Sequence, residues 1–157
     1  MTREIIFRGK IIKGPFIGRW VYGDLSRHDG KCFIQGFLYS QYGSPLFDDL
    51  CMVDPETIGQ FTGLRDKDGN NIYEGDIAQV DYITTFGRHR VGLPFEIKWC
   101  AQEGRWVKWD GFTENSLQQA NKMFVVKGNI YDNPELLKSM NCTETKIINL
   151  KHESKDN

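Results

Sequence analysis

The sequence predicts a mainly β protein, and three observations carry that expectation. Aromatic residues make up 13% of the chain. Several of them stand in short runs where apolar and polar residues alternate, the period-2 pattern of a strand with one covered face. Glycine outnumbers proline, 16 against 5, as befits a chain with many turns at positive φ. Two turn signals, Asp29-Gly30 and Asp66-Lys67-Asp68-Gly69, each separate strand-like runs. The length of 157 residues suits one domain or two small ones.

In chain order, Ile5 to Phe7 opens a first strand, and Gly14-Pro15 with Gly18 punctuates the loop after it. Arg19 to Leu25 is a second strand, with Trp20 and Tyr22 on one face and Val21 on the other. Asp29-Gly30 turns it back into Lys31 to Tyr39, where Gly36 marks a bulge. Ser40 to Asp49 reads as a loop and Leu50 to Val53 as a short strand. Asp54 is an N-cap with Pro55 at the first helical position. Gly59, Gly63 and the β-prone residues between them limit that helix to one turn. Leu64 to Ile72 is the clearest hairpin, closed by Gly69 in the left-handed region.

Tyr73 to Asp81 reads as one strand, with Ile77 and Val80 reaching the core. Thr84 to Pro94 is polar and glycine-containing and reads as a long mobile hairpin loop with Arg88-His89-Arg90 at its tip. Phe95 to Trp99 alternates apolar and charged residues, as a half-exposed antiparallel strand does. Ala101 to Gly104 turns the chain. Arg105 to Trp109 returns it, with Val107 and Trp109 on one face and Trp106 and Lys108 on the other. Asn115 to Asn121 is expected to form a short helix and Met123 to Val126 a strand. Asn133-Pro134-Glu135 begins a last helix carrying Leu136, Leu137 and Met140. From Asn141 the chain is largely polar and its end is expected to be disordered.

The composition narrows the chemistry. A formal net charge of −1 lacks the broad basic surface of a non-specific nucleic-acid binder. The four cysteines, Cys32, Cys51, Cys100 and Cys142, form no C-x-x-C pair, and no secretory signal precedes them, so free thiols in a reducing cytoplasm are expected. No apolar run approaches the ~20 residues of a membrane span. Asp66, Asp68 and Asn70 occupy the first, third and fifth positions of a calcium loop, but Asn71 stands at its glycine position and Ile77 at its closing glutamate. A hairpin turn explains these residues better. His28, His89 and His152 are dispersed, as are the thiols, so neither a zinc centre nor a Cys100–His89 nucleophile pair has local support.

Two further constellations remain. Glu74 and Asp76, two apart on one strand, share a face, and with Asp54 they outline a carboxylate cluster for Mg²⁺. The competing reading makes Asp76 an Asx-type turn residue after Gly75. Arg88 and Arg90 in a loop, with Arg105 and an exposed Trp106 on a strand, outline a surface for phosphate contacts and base stacking. The near-neutral charge weighs against that surface.

The central run VDPETIGQFTGLRDKDGNNIYEGDI, from Val53 to Ile77, resembles the signature of the YopX family of phage- and prophage-associated proteins. The opening REIIFRGK and WVYGDL and the closing VVKGNIYDNPELL, Val125 to Leu137, resemble that family in the same order. The signature positions here are Asp54, Pro55, Gly63, Asp66, Gly69, Tyr73, Gly75, Asp76, Gly128, Asn129 and Pro134. The resemblance implies an N-terminal antiparallel β portion, residues 1–63, packed on a C-terminal SH3-like barrel, residues 64–140, with few short helices and a tail at 141–157. It implies an oligomer and carries over no catalytic residue, metal or cofactor. The expected function is that of a non-enzymatic, cytoplasmic, homo-oligomeric interaction module with an unidentified protein partner and no membrane contact. The alternative is an accessory nucleic-acid-binding protein in phage DNA metabolism.

Overall fold

A computed structural model describes residues 2–39, 45–111 and 114–138, with the backbone alone at 37–39 and 45–49. The chain is mainly β, with antiparallel sheets. It divides into two compact units, one of Met1–Leu64 with Asn71–Glu74, the other of Arg65–Asn70 with Gly75–Asn157. The chain therefore passes out of the first unit after Leu64, returns for four residues, and leaves it again after Glu74.

The first sheet contains β1 (Phe7–Lys10), β2 (Trp20–His28), β3 (Lys31–Tyr39), β4 (Pro45–Val53), β5 (Gly59–Arg65) and β6 (Asn71–Tyr73), in the order β4-β3-β2-β1-β5-β6. Its far strand curls back. Ile11, just past β1, bridges to Val53 at the end of β4. Ile12 N donates to Met52 O at 3.0 Å and Asp54 N to Lys10 O at 2.8 Å. The interior so formed holds Ile11, Val21, Cys32, Ile34, Cys51 and Val53. Gly9 lets β4 come this close: a Cβ there would stand 3.0 Å from Val53 Cβ and 3.2 Å from Ile34 Cδ1. Asp54 caps a single 3₁₀ turn, Pro55–Thr57, by accepting from Glu56 N. The Thr57 hydroxyl then accepts from Lys10 N at 2.9 Å and ties that turn to β1.

Several expectations about this half need correction. Residues 45–49 are strand rather than loop, because β4 pairs with β3 along its length from Pro45 to Val53; residues 40–44 lie outside the described residues. Gly36 marks no bulge. It pairs in register with Gly23, and the irregularity falls at Leu38/Tyr39. The reason for glycine there is close approach: a Cβ on Gly36 would lie 1.8 Å from Tyr22 O, and one on Gly23 would lie 2.0 Å from Gln35 O.

The second unit contains β7 (Asp76–Ile83), β8 (His89–Val91), β9 (Phe95–Cys100), β10 (Arg105–Trp109), β11 (Glu114–Ser116), the one-turn helix α1 (Ala120–Met123) and β12 (Phe124–Asn129). The sheet order is β11-β10-β9-β7-β12, with β8 added to the end of β7. Ile77, Ala78, Phe95, Ile97, Val107 and Phe124 are buried here, and the rings of Phe95 and Phe124 meet edge to face at 5.0 Å. Tyr73 to Asp81 is not one strand. Gly75, at φ +82°, turns the chain between β6 and β7, a conformation that costs a side-chain-bearing residue strain. The hairpin expected at 84–94 is present, with its return arm paired: His89–Val91 pair with Asp81–Ile83 and the turn spans residues 84–88. Residues 114–116 are strand rather than helix, and the helical turn begins at Ala120. Residues 135–138 are helical as expected; Met140 and the tail expected to be disordered lie outside the described residues.

The Asp66–Asn70 turn is the most densely bonded part of this unit. Gly69 has φ +85° and donates its N–H to Asp66 O, as the hairpin reading required. Its acidic lead residue, however, is only 2% exposed. Asp66 Oδ1 accepts from Asp68 N at 3.0 Å and Asn70 N at 2.9 Å. Its Oδ2 accepts from Asn70 Nδ2 at 3.2 Å and from Val126 N of β12 at 3.1 Å. Lys67 N adds a bond to Phe124 O at 2.9 Å. Burial acts against this charge, but the donated bonds from Val126, Asn70 and Asp68 outweigh it and hold the carboxyl below the usual carboxylate range.

Two stability predictions follow from these contacts. Gly36→Ala destabilises by about 3 kcal/mol or more, because backbone must move. Gly30→Ala, at a hairpin tip with nothing within 4 Å of the new Cβ and φ +72°, costs only about 1 kcal/mol. Urea denaturation of both variants checks the contrast, and equal losses would contradict the close-approach argument. Asp66→Ala leaves buried amides without an acceptor and costs about 3 kcal/mol. Because its pKa is depressed on folding, Asp66 stabilises the fold above the ordinary carboxylate range, and that contribution disappears as pH falls through the lowered value. Asp66→Asn abolishes this part of the acid limb in a pH series of melting temperatures.

Candidate functional site

The signature residues converge, but on structure. In the second unit the central and closing motifs meet along β7 and β12. Asp76 pairs with Asn129. Gly75 donates to Ile97 O and accepts from Ile130 N, both at 2.9 Å. Gly128 sits at the β12 irregularity, where an added Cβ would fall 2.2 Å from Asn133 Oδ1. Asn129 Oδ1 accepts from Tyr131 N and Asp132 N, closing the turn that leads to Pro134. In the first unit, Tyr73 packs at 5.4 Å from Tyr22 and 5.6 Å from Phe61. The Arg8 guanidinium lies over its ring at 5.0 Å and over Trp20 at 4.8 Å. Gly63 is exposed, at φ +84°.

The carboxylates proposed for Mg²⁺ are placed differently. Asp54 caps its turn in the first unit. Glu74 is half-buried there; burial raises its pKa, with the Gln60 amide and Arg8 pulling the other way. Asp76 is buried in the second unit. The turn at Gly75 separates Glu74 from Asp76, so the premise that they share one strand face does not hold. Among the described residues no group of three His, Cys, Asp or Glu side chains is placed to hold a metal ion. Cys32, Cys51 and Cys100 are buried, and none is in a disulfide among the described residues. Among those residues no helix is long and apolar enough to cross a membrane.

The four interaction candidates fall into two pairs. Arg88 and Arg90 lie on the β7–β8 ribbon, where Arg90 pairs with Tyr82 and every residue from 85 to 91 is exposed. Arg105 and Trp106 lie on β10, opposite Cys100 and Trp99. Strand β9 meets β7 at Ile77–Glu96 and runs away from the ribbon end. At about 3.3 Å per residue, the two pairs stand on the order of 25 Å apart along the sheet. Arg105 already engages Glu103 through an Nε–Oε2 ion pair. Trp106 is half-buried rather than exposed. It meets Trp99 edge to face at 4.9 Å, and its buried indole Nε1 has no hydrogen-bond partner. The more exposed ring is Trp99, at 43%.

Sequence reading places a hairpin loop here and misses how much apolar surface the ribbon exposes. Phe86 at its turn is 91% exposed, with Ile83, Val91 and Leu93 at 71%, 55% and 60%. The signal was present in Ile83, Phe86 and Val91, but the polar residues between them masked it. Asp81 anchors the base of the ribbon. It accepts from His89 Nε2 at 2.8 Å and from Lys67 Nζ at 3.5 Å, with Lys127 Nζ at 4.0 Å. The His89 bond above all, helped by Lys67, holds its carboxyl below the usual range against the opposing effect of desolvation.

The comparisons agree with this architecture. The chain is similar over 87% of its length to the crystal structure of protein EF1440 from Enterococcus faecalis, covering 99% of that chain, at 25% identity and a TM-score of 0.51. No curated protein matches the chain. The family model described as YopX protein matches residues 20–138, a span that includes both the central and the closing motif. The protein belongs to the YopX family.

Proposed function

We propose that this chain is a non-enzymatic interaction module of phage or prophage type, acting as a homo-oligomer in the bacterial cytoplasm. The observation that carries the reading is the apolar surface of the first unit. A groove of about 330 Å³ is lined by Ile11, Phe16, Phe33, Leu50 and Met52, among others. Ile12 and Ile17, which flank the lining loop in sequence, are 47% and 65% exposed, and Leu50 is 53% exposed. Apolar surface grouped in this way favours a docking face. A second copy is the favoured occupant, because a net charge of −1 opposes self-association very little. Family membership supports the phage or prophage setting. The short, bulged antiparallel strands β7 to β12 favour an SH3-like barrel for the second unit.

Light scattering at micromolar concentration tests the oligomer, and a clean monomer overturns it. Ile17→Glu and Leu50→Lys change exposed side chains and leave the fold intact. Each is expected to reduce the oligomer to monomers; an unchanged mass would remove this face from the interface.

A nucleic-acid-binding role in phage DNA metabolism is the second reading, favoured by Arg88 and Arg90 on an exposed ribbon. Titrating salt against binding to single- and double-stranded DNA tests it. Absence of salt-dependent binding at low ionic strength sinks the reading.

A further inference from the structure

We infer that the β7–β8 ribbon is a DNA-bending arm, in which Phe86 wedges between base pairs of a duplex while Arg88 and Arg90 hold the flanking phosphates. The inference rests on the nucleic-acid reading above and gives it a substrate form and a mechanism.

The arm is built before any ligand arrives. Gly92 N donates to Val80 O at 2.8 Å and Gln79 Nε2 to Gly92 O, which fixes its base. Three registered pairs follow, Asp81–Val91, Tyr82–Arg90 and Ile83–His89. The turn is closed by Thr84 N to Arg88 O and Gly87 N to Thr84 O, both at 2.9 Å, and by Arg88 N to Thr84 Oγ1 at 3.1 Å. A pre-ordered arm loses little conformational freedom on binding.

Its charge then selects the class of partner. Asp81 is the arm's one carboxylate, and His89, Lys67 and Lys127 already engage it. The segment beyond Asp81 carries Arg88 and Arg90 with no acid. On β8, Arg90 projects to the face of its partner Tyr82, while His89 and Val91 project to the other, and Arg88 ends the turn that leads in. Strand-to-strand pairing of two such arms would set arginine against arginine, which is unfavourable. The charge therefore calls for an anionic partner rather than a second copy.

The turn selects among anionic partners. A phenyl ring exposed at the outermost point of a basic ribbon finds a matching slot between stacked bases, where architectural proteins insert apolar wedges and kink the duplex. Strands enter duplex grooves in several such proteins. An acidic peptide offers no comparable slot. Single-strand binders instead use several exposed aromatics along a groove, whereas this arm has one fully exposed ring, Phe86, its other aromatic, Tyr82, being half-buried.

The test uses the full chain and a duplex of roughly 30 base pairs carrying a fluorescence donor and acceptor at its ends, with the unlabelled single strand as competitor. The wild type is expected to bind the duplex in preference and to raise energy transfer as the ends approach. Phe86→Ala, at a site without packing neighbours to lose, is expected to keep the salt slope and lose the rise in transfer. Arg88→Gln with Arg90→Gln is expected to flatten the log–log salt slope by about 1.8. Duplex binding with unchanged energy transfer, bending retained by Phe86→Ala, or preference for the single strand would each overturn the wedge while leaving nucleic-acid binding in place. Absence of salt-dependent binding to either form would overturn both.

Discussion

A carboxylate that is only 2% exposed survives in a fold when donors surround it, because a buried charge without partners is too costly. Asp66 meets that condition with two amides of its own turn, one side-chain amide and the Val126 amide from about sixty residues further on. The turn is therefore more than the end of a hairpin. It is the acceptor that fastens β12, and β12 in turn carries Gly128 and Asn129 against β7. Asp66, the first residue of the run that looked like a calcium loop, spends its oxygens on three backbone N–H groups and one side-chain amide. The same chemistry that would bind a hard cation, oxygens held at short spacing, here organises the second unit.

Around that fastening the motif residues divide the work locally. Asp54 and Thr57 fix a 3₁₀ turn to β1. Gly75 lets the chain leave the first sheet and enter the second at Asp76. Tyr73 and Trp20 hold the Arg8 guanidinium between them. Within each unit these groups hold backbone and rings in place, and in that sense the signature identifies a family through its scaffold. The surfaces on which the proposed roles rest lie elsewhere, on the apolar groove of the first unit and on the ribbon of the second. They differ in kind. The groove is lined mainly by apolar side chains, with Lys13 its one charged residue, whereas the ribbon carries Arg88 and Arg90 beside exposed Ile83, Phe86 and Val91.

The sequence by itself determined the features that act over a few residues. Alternation placed the strands, Asp29-Gly30 and Asp66 to Gly69 placed two hairpins, and Asp54-Pro55 placed a single helical turn, because period and turn chemistry depend on near neighbours. Tertiary structure decided what depends on distant segments. It buried Asp66, gave Gly36 its reason in the approach of Tyr22 O, returned β4 to Ile11, and covered part of Trp106 with Trp99. It also put Arg105 and Arg90 at different ends of one sheet and left Phe86 exposed on a ribbon. Which strands pair, and in what register, is settled by burial summed over the whole sheet, and no local pattern encodes that sum.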